Sequence, residues 1–424
     1  MKGAGPAWCP VWQAGATVAG SAGGQVRRRR VFYLPGFDPA VPRRYRELYR
    51  REGARQAAIS GYALALGPAP EGAAGYGWSV RLEEGGAASE AHVSVLDWHD
   101  LVQGAMRHGP WGIHALLWRT HWIFFSTGAM VRLFGMRPGP MMASVYVTLV
   151  MVVQMALALG LAGGSLAAAA LGGGWWFLPA ALAGAGLAHG LLVWFRRNDG
   201  RLMAHYMLQD FAYSVAGHGA WDAEAEARLD SFANEVRAAL EEDWDEVLLV
   251  AHSTGCSLAV SVMARVLRGG LPIDAPPLAM MTLGHLIPLH GFMPRADAFR
   301  RDLRDLAAEE RLFWLDVTAR GDGACFWLVD PVSVCAAAPE APVNPLVISA
   351  AFSRALKPET WARLRRRFYA LHFQYLSAFD NPQDYDYFRI TAGPLTLRER
   401  FKGRRNSPQC EIRVFAPPRA RGIA

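Results

Sequence analysis

An α/β fold is predicted for this 424-residue chain: a mainly parallel sheet with helices on both faces and an inserted two-helix transmembrane hairpin. Three features predict it. Strand-like apolar runs alternate with helical patterns through residues 31–376. The run Val247–Ala251 ends abruptly in His252-Ser253-Thr254-Gly255, and a helical pattern follows at once. Between Pro138 and Phe195 there is not one Asp, Glu, Lys or Arg.

Residues 1–26 are rich in glycine and alanine and lack sustained periodicity. Lys2 precedes a mildly apolar stretch, but Pro10, Gln13 and several glycines interrupt it, so a flexible tail is expected rather than a signal peptide. The first part of the main domain covers 27–137. Arg27–Arg30 lead into a short buried strand, Val31–Leu34, and a Pro35-Gly36 turn. A helix over Pro42–Ala58 follows, with Tyr45, Leu48 and Tyr49 at helical spacing. Strands are expected near Gly77–Leu82 and His92–Leu96. The stretch His99–Arg137 reads as helical. Its Trp111, Trp118, Trp122, Phe124 and Phe125 suit a membrane–water interface.

The hairpin insertion occupies 138–195. Its apolar runs, Met141–Ala162 and Trp175–Phe195, each reach the ~20 helical residues that cross a ~30 Å hydrocarbon core. Gly163–Gly174 is small and uncharged, as suits a hairpin tip. Arg132 and Arg137 precede the spans, and Arg196, Arg197 and Arg201 follow them. The positive-inside rule therefore places both flanks, and the rest of the protein, in the cytoplasm. The lipid bilayer is the predicted partner. The net charge of +7, with clusters at Arg27–Arg30, Arg43-Arg44 and Arg365–Arg367, suits anionic headgroups. No nucleic-acid-binding motif accompanies these clusters, and the sequence names no protein partner. The cysteines Cys9, Cys256, Cys325, Cys335 and Cys410 lack metal-like spacing and read as free thiols in a reducing compartment.

The second part of the main domain covers 196–400. Helices are expected over Leu202–Ala216 and Ala223–Glu241, the latter with Leu229, Phe232, Val236 and Leu240 on one face. The helix after Gly255 runs to Leu267 and stops at Gly269-Gly270. Strands follow at Leu278–Leu283 and Leu312–Val317, and residues 359–370 read as helix. Residues 401–424 form a basic C-terminal tail.

The stretch around Ser253 carries chemistry. A strand feeding a tight turn lifts one serine above the sheet edge, and crowding there demands small neighbours, which Ala251 and Gly255 supply. The following helix starts at the serine, so the Thr254 N–H points toward a reaction centre and suits an oxyanion. A serine hydroxyl also needs a base and an orienting acid. Of twelve histidines, only His285, His290 and His372 follow Ser253. Asp322 sits in a turn just beyond the strand Leu312–Val317, with Asp316 inside that strand and Asp330 before Pro331 as alternatives. His108, His114 and His121 are not spaced like zinc ligands on a helix. No phosphate loop or dinucleotide fingerprint is present, so neither metal nor cofactor is expected.

These pieces, Tyr33-Leu34-Pro35-Gly36-Phe37, Ala251-His252-Ser253-Thr254-Gly255, Asp322 and His372, resemble the α/β-hydrolase superfamily of lipases and esterases. The specific match is confined to the elbow and the loop at Gly36. Ala251 replaces the first glycine of the usual elbow, and Pro35 stands where a histidine is common. The resemblance implies a nucleophile at Ser253, supported by Gly36, Ala251, His252 and Gly255. Its chain order, serine then acid then histidine, implies His372 as base and Asp322 as acid. The Phe37 N–H joins Thr254 as the second oxyanion donor. The implied reaction is hydrolysis of a carboxylic ester, lipid-like or small, through an acyl-enzyme. An inactive scaffold on the same fold and an acyltransferase are the alternatives.

Overall fold

A strand covered on both faces needs apolar side chains at nearly every position, and Glu246–His252 is buried along its whole length. The computed structural model describes residues 24–417 except 73, 74 and 173. Eight strands form one mixed sheet: β1 (Arg28–Leu34), β2 (Ala63–Gly67), β3 (Gly77–Glu84), β4 (Ala87–Val95), β5 (Glu246–His252), β6 (Leu278–Leu283), β7 (Leu312–Thr318) and β8 (Leu346–Ser349). Their order is β2-β3-β4-β1-β5-β6-β7-β8. The block β4-β1-β5-β6-β7-β8 is parallel, while β3 runs antiparallel to both β2 and β4. The antiparallel edge follows from the Gly85-Gly86 turn, where both residues have positive φ and close a tight hairpin.

Side chains of β5 alternate between two cores. Val247, Leu249 and Ala251 join one cluster with the helix Gly255–Arg268; Leu248 and Val250 join the other with Tyr45, Tyr49 and Phe388. Helices thus cover both faces. The short strands β2 and β8 were not expected. β2 is only partly buried and β8 has four residues, so neither leaves a strong pattern. The helical stretch expected over 99–137 is built of three helices, His99–Ala105, Gly112–Ser126 and Ala129–Met136. The breaks fall at Gly109-Pro110 and at Gly128, which has φ 69°.

Among the described residues, two helices are long and apolar enough to cross a membrane, Pro138–Leu171 and Phe177–Arg197. Their most apolar windows are only 22% and 17% buried, unlike core helices of a soluble protein. The first helix runs Pro138–Gly172, so Gly163 and Gly164 lie inside it rather than at the hairpin tip. Ala-rich sequence beyond them sustains the helix, and Gly184 lets the partner approach: a Cβ there would meet Ser165 Cβ at 2.8 Å. The base of this helix, through Met141, Val147 and Met151, is buried in the core of the sheet domain.

The expected tail over residues 1–26, with Cys9, lies outside the described residues up to 23. Residues 24–26 run beside the C-terminal region: Gln25 bridges to Leu395, and buried Val26 donates its N–H to Pro394 O at 2.9 Å. Residues 401–417 lie along the far edge, where Ser407 N–H donates to Val347 O at 2.8 Å and Phe415 N–H to Val334 O at 3.1 Å. Residues 418–424 are outside the description.

A buried ion pair fastens the lower ends of the central strands. Arg29 Nε lies 2.6 Å from Glu246 Oε2, with both side chains 1% exposed. Arg29 also donates to the carbonyls of Gly393 and Leu395, and Glu246 accepts the Leu397 N–H. With every group paired, removing one partner strands a buried charge. Glu246→Ala is expected to destabilise the chain by about 3–5 kcal/mol, measured by thermal unfolding in detergent. A loss below about 1 kcal/mol would mean that water reaches Arg29.

Candidate active site

The ends of β1 and β5 pair directly, Leu34 with Ala251. From β1 the chain crosses to β2 at one side of the sheet, whereas from β5 it crosses to β6 on the other, so the crevice between the ends of β1 and β5 is a topological switch point. The backbones approach too closely for side chains. A Cβ on Gly255 would meet Pro35 O at 2.3 Å, and one on Gly36 would meet Ser253 Cβ at 2.9 Å. Ser253 itself has φ 57°, a left-handed conformation that costs a non-glycine residue of order 1–3 kcal/mol. Its N–H is held by Leu283 O at 2.9 Å. The chain thus forms the sharp strand-to-helix turn expected of residues 251–255.

Ser253, His252, Gly36, Phe37 and His372 line one cleft. Its free space is about 40 Å³, room for a few water-sized groups. Among the described residues, the backbone N–H groups of Phe37 and Thr254 have no acceptor. Both are available to a developing negative charge.

His372 lies at the end of the short helix Phe368–His372, not on a loop. Its Nδ1 is 2.8 Å from Asp322 Oδ2. Asp322 also accepts the Tyr375 hydroxyl at 3.1 Å and the Ala324 N–H at 2.9 Å. Burial pushes the Asp322 carboxyl up, but the charge of His372 and the hydrogen bonds from His372 and the Ala324 N–H outweigh it and hold the carboxyl below its usual range. His372 Nε2 has no hydrogen-bond partner among the described residues. The Ser253 hydroxyl therefore shares the cleft with it without a bond between them.

The alternatives to these residues are occupied elsewhere. Asp316 is buried in β7, where Thr282 donates to it at 2.6 Å. Asp330 caps the helix Pro331–Val334, accepting from Val332 and Ser333. His290 stacks on Trp221 with centroids 4.3 Å apart. His285 contacts the Val329 carbonyl and Asp316. His252 packs against the His372 ring and shares a 3.0 Å hydrogen bond with its carbonyl. Burial, then the charge of His372, pushes His252 down to about 3, so it is neutral at ordinary pH.

Several residues were not singled out in sequence. Gly284, at φ 56°, makes room for the acid and base: a Cβ there would lie 2.8 Å from Tyr375, 3.1 Å from His372 and 3.3 Å from Asp322. Trp98 donates to Pro35 O at 2.9 Å. Tyr206 donates its hydroxyl to Phe37 O, and Asp210 accepts the Thr254 hydroxyl at 2.6 Å. Tyr206 and Asp210 are four residues apart on the helix Ala204–Val215, so one helix face grips both residues that carry the free N–H groups. The only sequence signal for this face was helical spacing. No family model matches the chain, and no curated protein or solved structure matches it.

Burial pushes the Asp210 carboxyl up to about 6, against the Thr254 hydrogen bond and the charge of His372. A raised carboxyl keeps its proton in the fold where the unfolded chain has released it. Stability from this group is therefore present below about pH 4 and lost as pH rises to about 6. Asp210→Asn keeps an acceptor for Thr254 and removes the charge. It is expected to be more stable than the parent by about 1 kcal/mol at pH 8 and equal at pH 4. Thermal unfolding at the two pH values checks this; an equal gain at both would contradict a buried charge.

Proposed function

We propose that the chain is a membrane-anchored serine hydrolase of the α/β-hydrolase type that cleaves a carboxylic ester. The observation that carries this reading is that Ser253, Phe37 and His372 line one cleft, with His372 Nδ1 hydrogen-bonded to Asp322 and with no acceptor among the described residues for the N–H groups of Phe37 and of Thr254, the residue after the serine. His372 Nε2 takes the Ser253 proton as Oγ attacks the carbonyl carbon. The carbonyl electron pair moves onto oxygen, and the Phe37 and Thr254 N–H groups receive it. Collapse expels the alcohol, which leaves with the proton from His372, and water then cleaves the acyl-enzyme by the same steps reversed. Asp322 holds the imidazole in the tautomer that presents Nε2 to the serine.

The hairpin anchors this site to a bilayer. Exposed Trp118, Trp122 and Phe125 on the helix Gly112–Ser126 lie beside it in sequence and suit the headgroup layer. Ala143, near the start of the first hairpin helix, lines the cleft, so a lipid-like ester has a short path to Ser253. Basic residues at both outer flanks argue for a cytoplasmic active site. The separation of Ser253 from His372 Nε2 favours one other reading, a catalytically silent scaffold, although such bonds often close only with substrate bound.

A fluorophosphonate probe is expected to label the wild-type chain and not Ser253→Ala. His372→Ala and Asp322→Asn should each lower kcat on p-nitrophenyl butyrate by roughly 10⁴. An unlabelled wild type would support the scaffold. Wild type and Ser253→Ala should both resist alkaline carbonate extraction from membranes. Release into the soluble fraction would remove the membrane from the reading.

A further inference from the structure

The cleft that holds Ser253 has an uneven charge. Its walls are aromatic, with Phe37, Tyr206, Phe211, Tyr369 and Phe373 among them. Two carboxylates line it, Asp38 and Asp210; among the described residues no lysine or arginine lines it, and Arg44, the partner of Asp38, lies over the Phe373 ring 5.1 Å from its centroid. Asp38 is fully engaged: Arg44 lies 2.9 Å away, the Tyr45 hydroxyl donates at 2.8 Å and the Ala40 N–H at 2.9 Å. Asp210 has only the Thr254 hydroxyl and no ion-pair partner among the described residues. A carboxylate accepts at about four lone-pair positions, and of these the Thr254 hydroxyl fills one. This negative site sits in a chain of net charge +7. The fold also loses stability to hold Asp210 there, so its charge calls for a ligand rather than a structural partner.

We propose that Asp210 is a specificity residue that binds an ammonium group carried by the substrate, a cationic amino ester. The proposal rests on the reading of this cleft as an ester-cleaving site. A primary or quaternary ammonium meets both features of the cleft: carboxylate oxygens for charge-assisted hydrogen bonds and ring faces for cation–π contact. Anionic headgroups are disfavoured by the same charge. The ammonium would complete the partnership that Asp210 lacks, while Thr254 continues to donate to its other oxygen.

Other charged and titratable groups line the cleft with Asp210. They are His372 on its helix, His252 at the end of β5, Asp38 with its partner Arg44, and the phenols of Tyr45, Tyr206 and Tyr369. Tyr206 and Tyr369 are pushed far above ordinary pH by burial, and His252 is neutral. Asp210 is thus the carboxylate in the cleft without an ion-pair partner among the described residues, and its charge is the one the test removes. Any pH dependence that survives in Asp210→Asn belongs to another group.

The test uses the full chain in a neutral maltoside detergent. Binding of n-propylammonium and of its neutral near-isostere n-propanol is measured by saturation-transfer NMR at pH 7.5. The ammonium is expected to bind about tenfold tighter, with the preference falling at pH 5 as Asp210 takes up a proton. Asp210→Asn should erase it, and Asp210→Glu, which restores the charge, should recover part of it. Equal binding of the two probes by wild type, or an undiminished preference in Asp210→Asn, would overturn the proposal. In turnover, kcat/KM for p-nitrophenyl β-alaninate should exceed that for p-nitrophenyl butyrate in wild type and lose that advantage in Asp210→Asn. Hydrolysis of the butyrate without any ammonium preference rejects the cation site alone. Ammonium binding without hydrolysis or Ser253 labelling rejects the hydrolase reading alone.

Discussion

The site depends on one steric constraint: the backbones after β1 and β5 meet at a distance that excludes side chains. Gly36 against Ser253 and Gly255 against Pro35 leave no room for a Cβ. The neighbouring strands are locked in register from Arg29–Glu246 to Leu34–Ala251. Ser253 therefore has to enter the left-handed region to turn from strand to helix. The strain is sustained because buried strands on both sides and the Leu283 carbonyl over-determine the position. The same closeness brings Phe37 and Ser253 onto one cleft, since each follows one of the two paired strands.

The helix Ala204–Val215 links that constraint to the hairpin. Its Tyr206 and Asp210 reach the two residues that carry the free N–H groups. Its His205 shares a 2.9 Å hydrogen bond with Gln154 of the first hairpin helix. Its Met207, Leu208 and Phe211 share a core with Met141, Val147 and Met151. The hairpin is thus seated on the sheet domain rather than tethered by a flexible linker, and its base forms part of the cleft wall through Ala143. Asp210 sits here at a cost in stability, as polar groups at working sites often do.

How much was legible in sequence differed by element. The buried strand, the turn at residues 251–255 and the helix after it announce themselves through composition and small residues, because backbone crowding is a local demand. The charge-free span is equally plain, since hydropathy is additive along a helix. β2 and β8 left little trace, being short and partly exposed. The hairpin tip was misplaced because glycine lowers helix propensity without forbidding the helix when a partner packs against it. His372 and Asp322 were reached only through chain order, and their 2.8 Å contact spans fifty residues.

The sequence by itself determined the α/β alternation, the apolar hairpin and the serine turn, because each is written in neighbouring residues through strand period, helix period and steric size. The tertiary structure decided which acid meets which histidine among three candidates of each. It also decided that Gly284 makes room for them, and that Tyr206 and Asp210 grip the cleft. Those choices depend on contacts between distant segments, fixed by strand order and register, which no local pattern encodes.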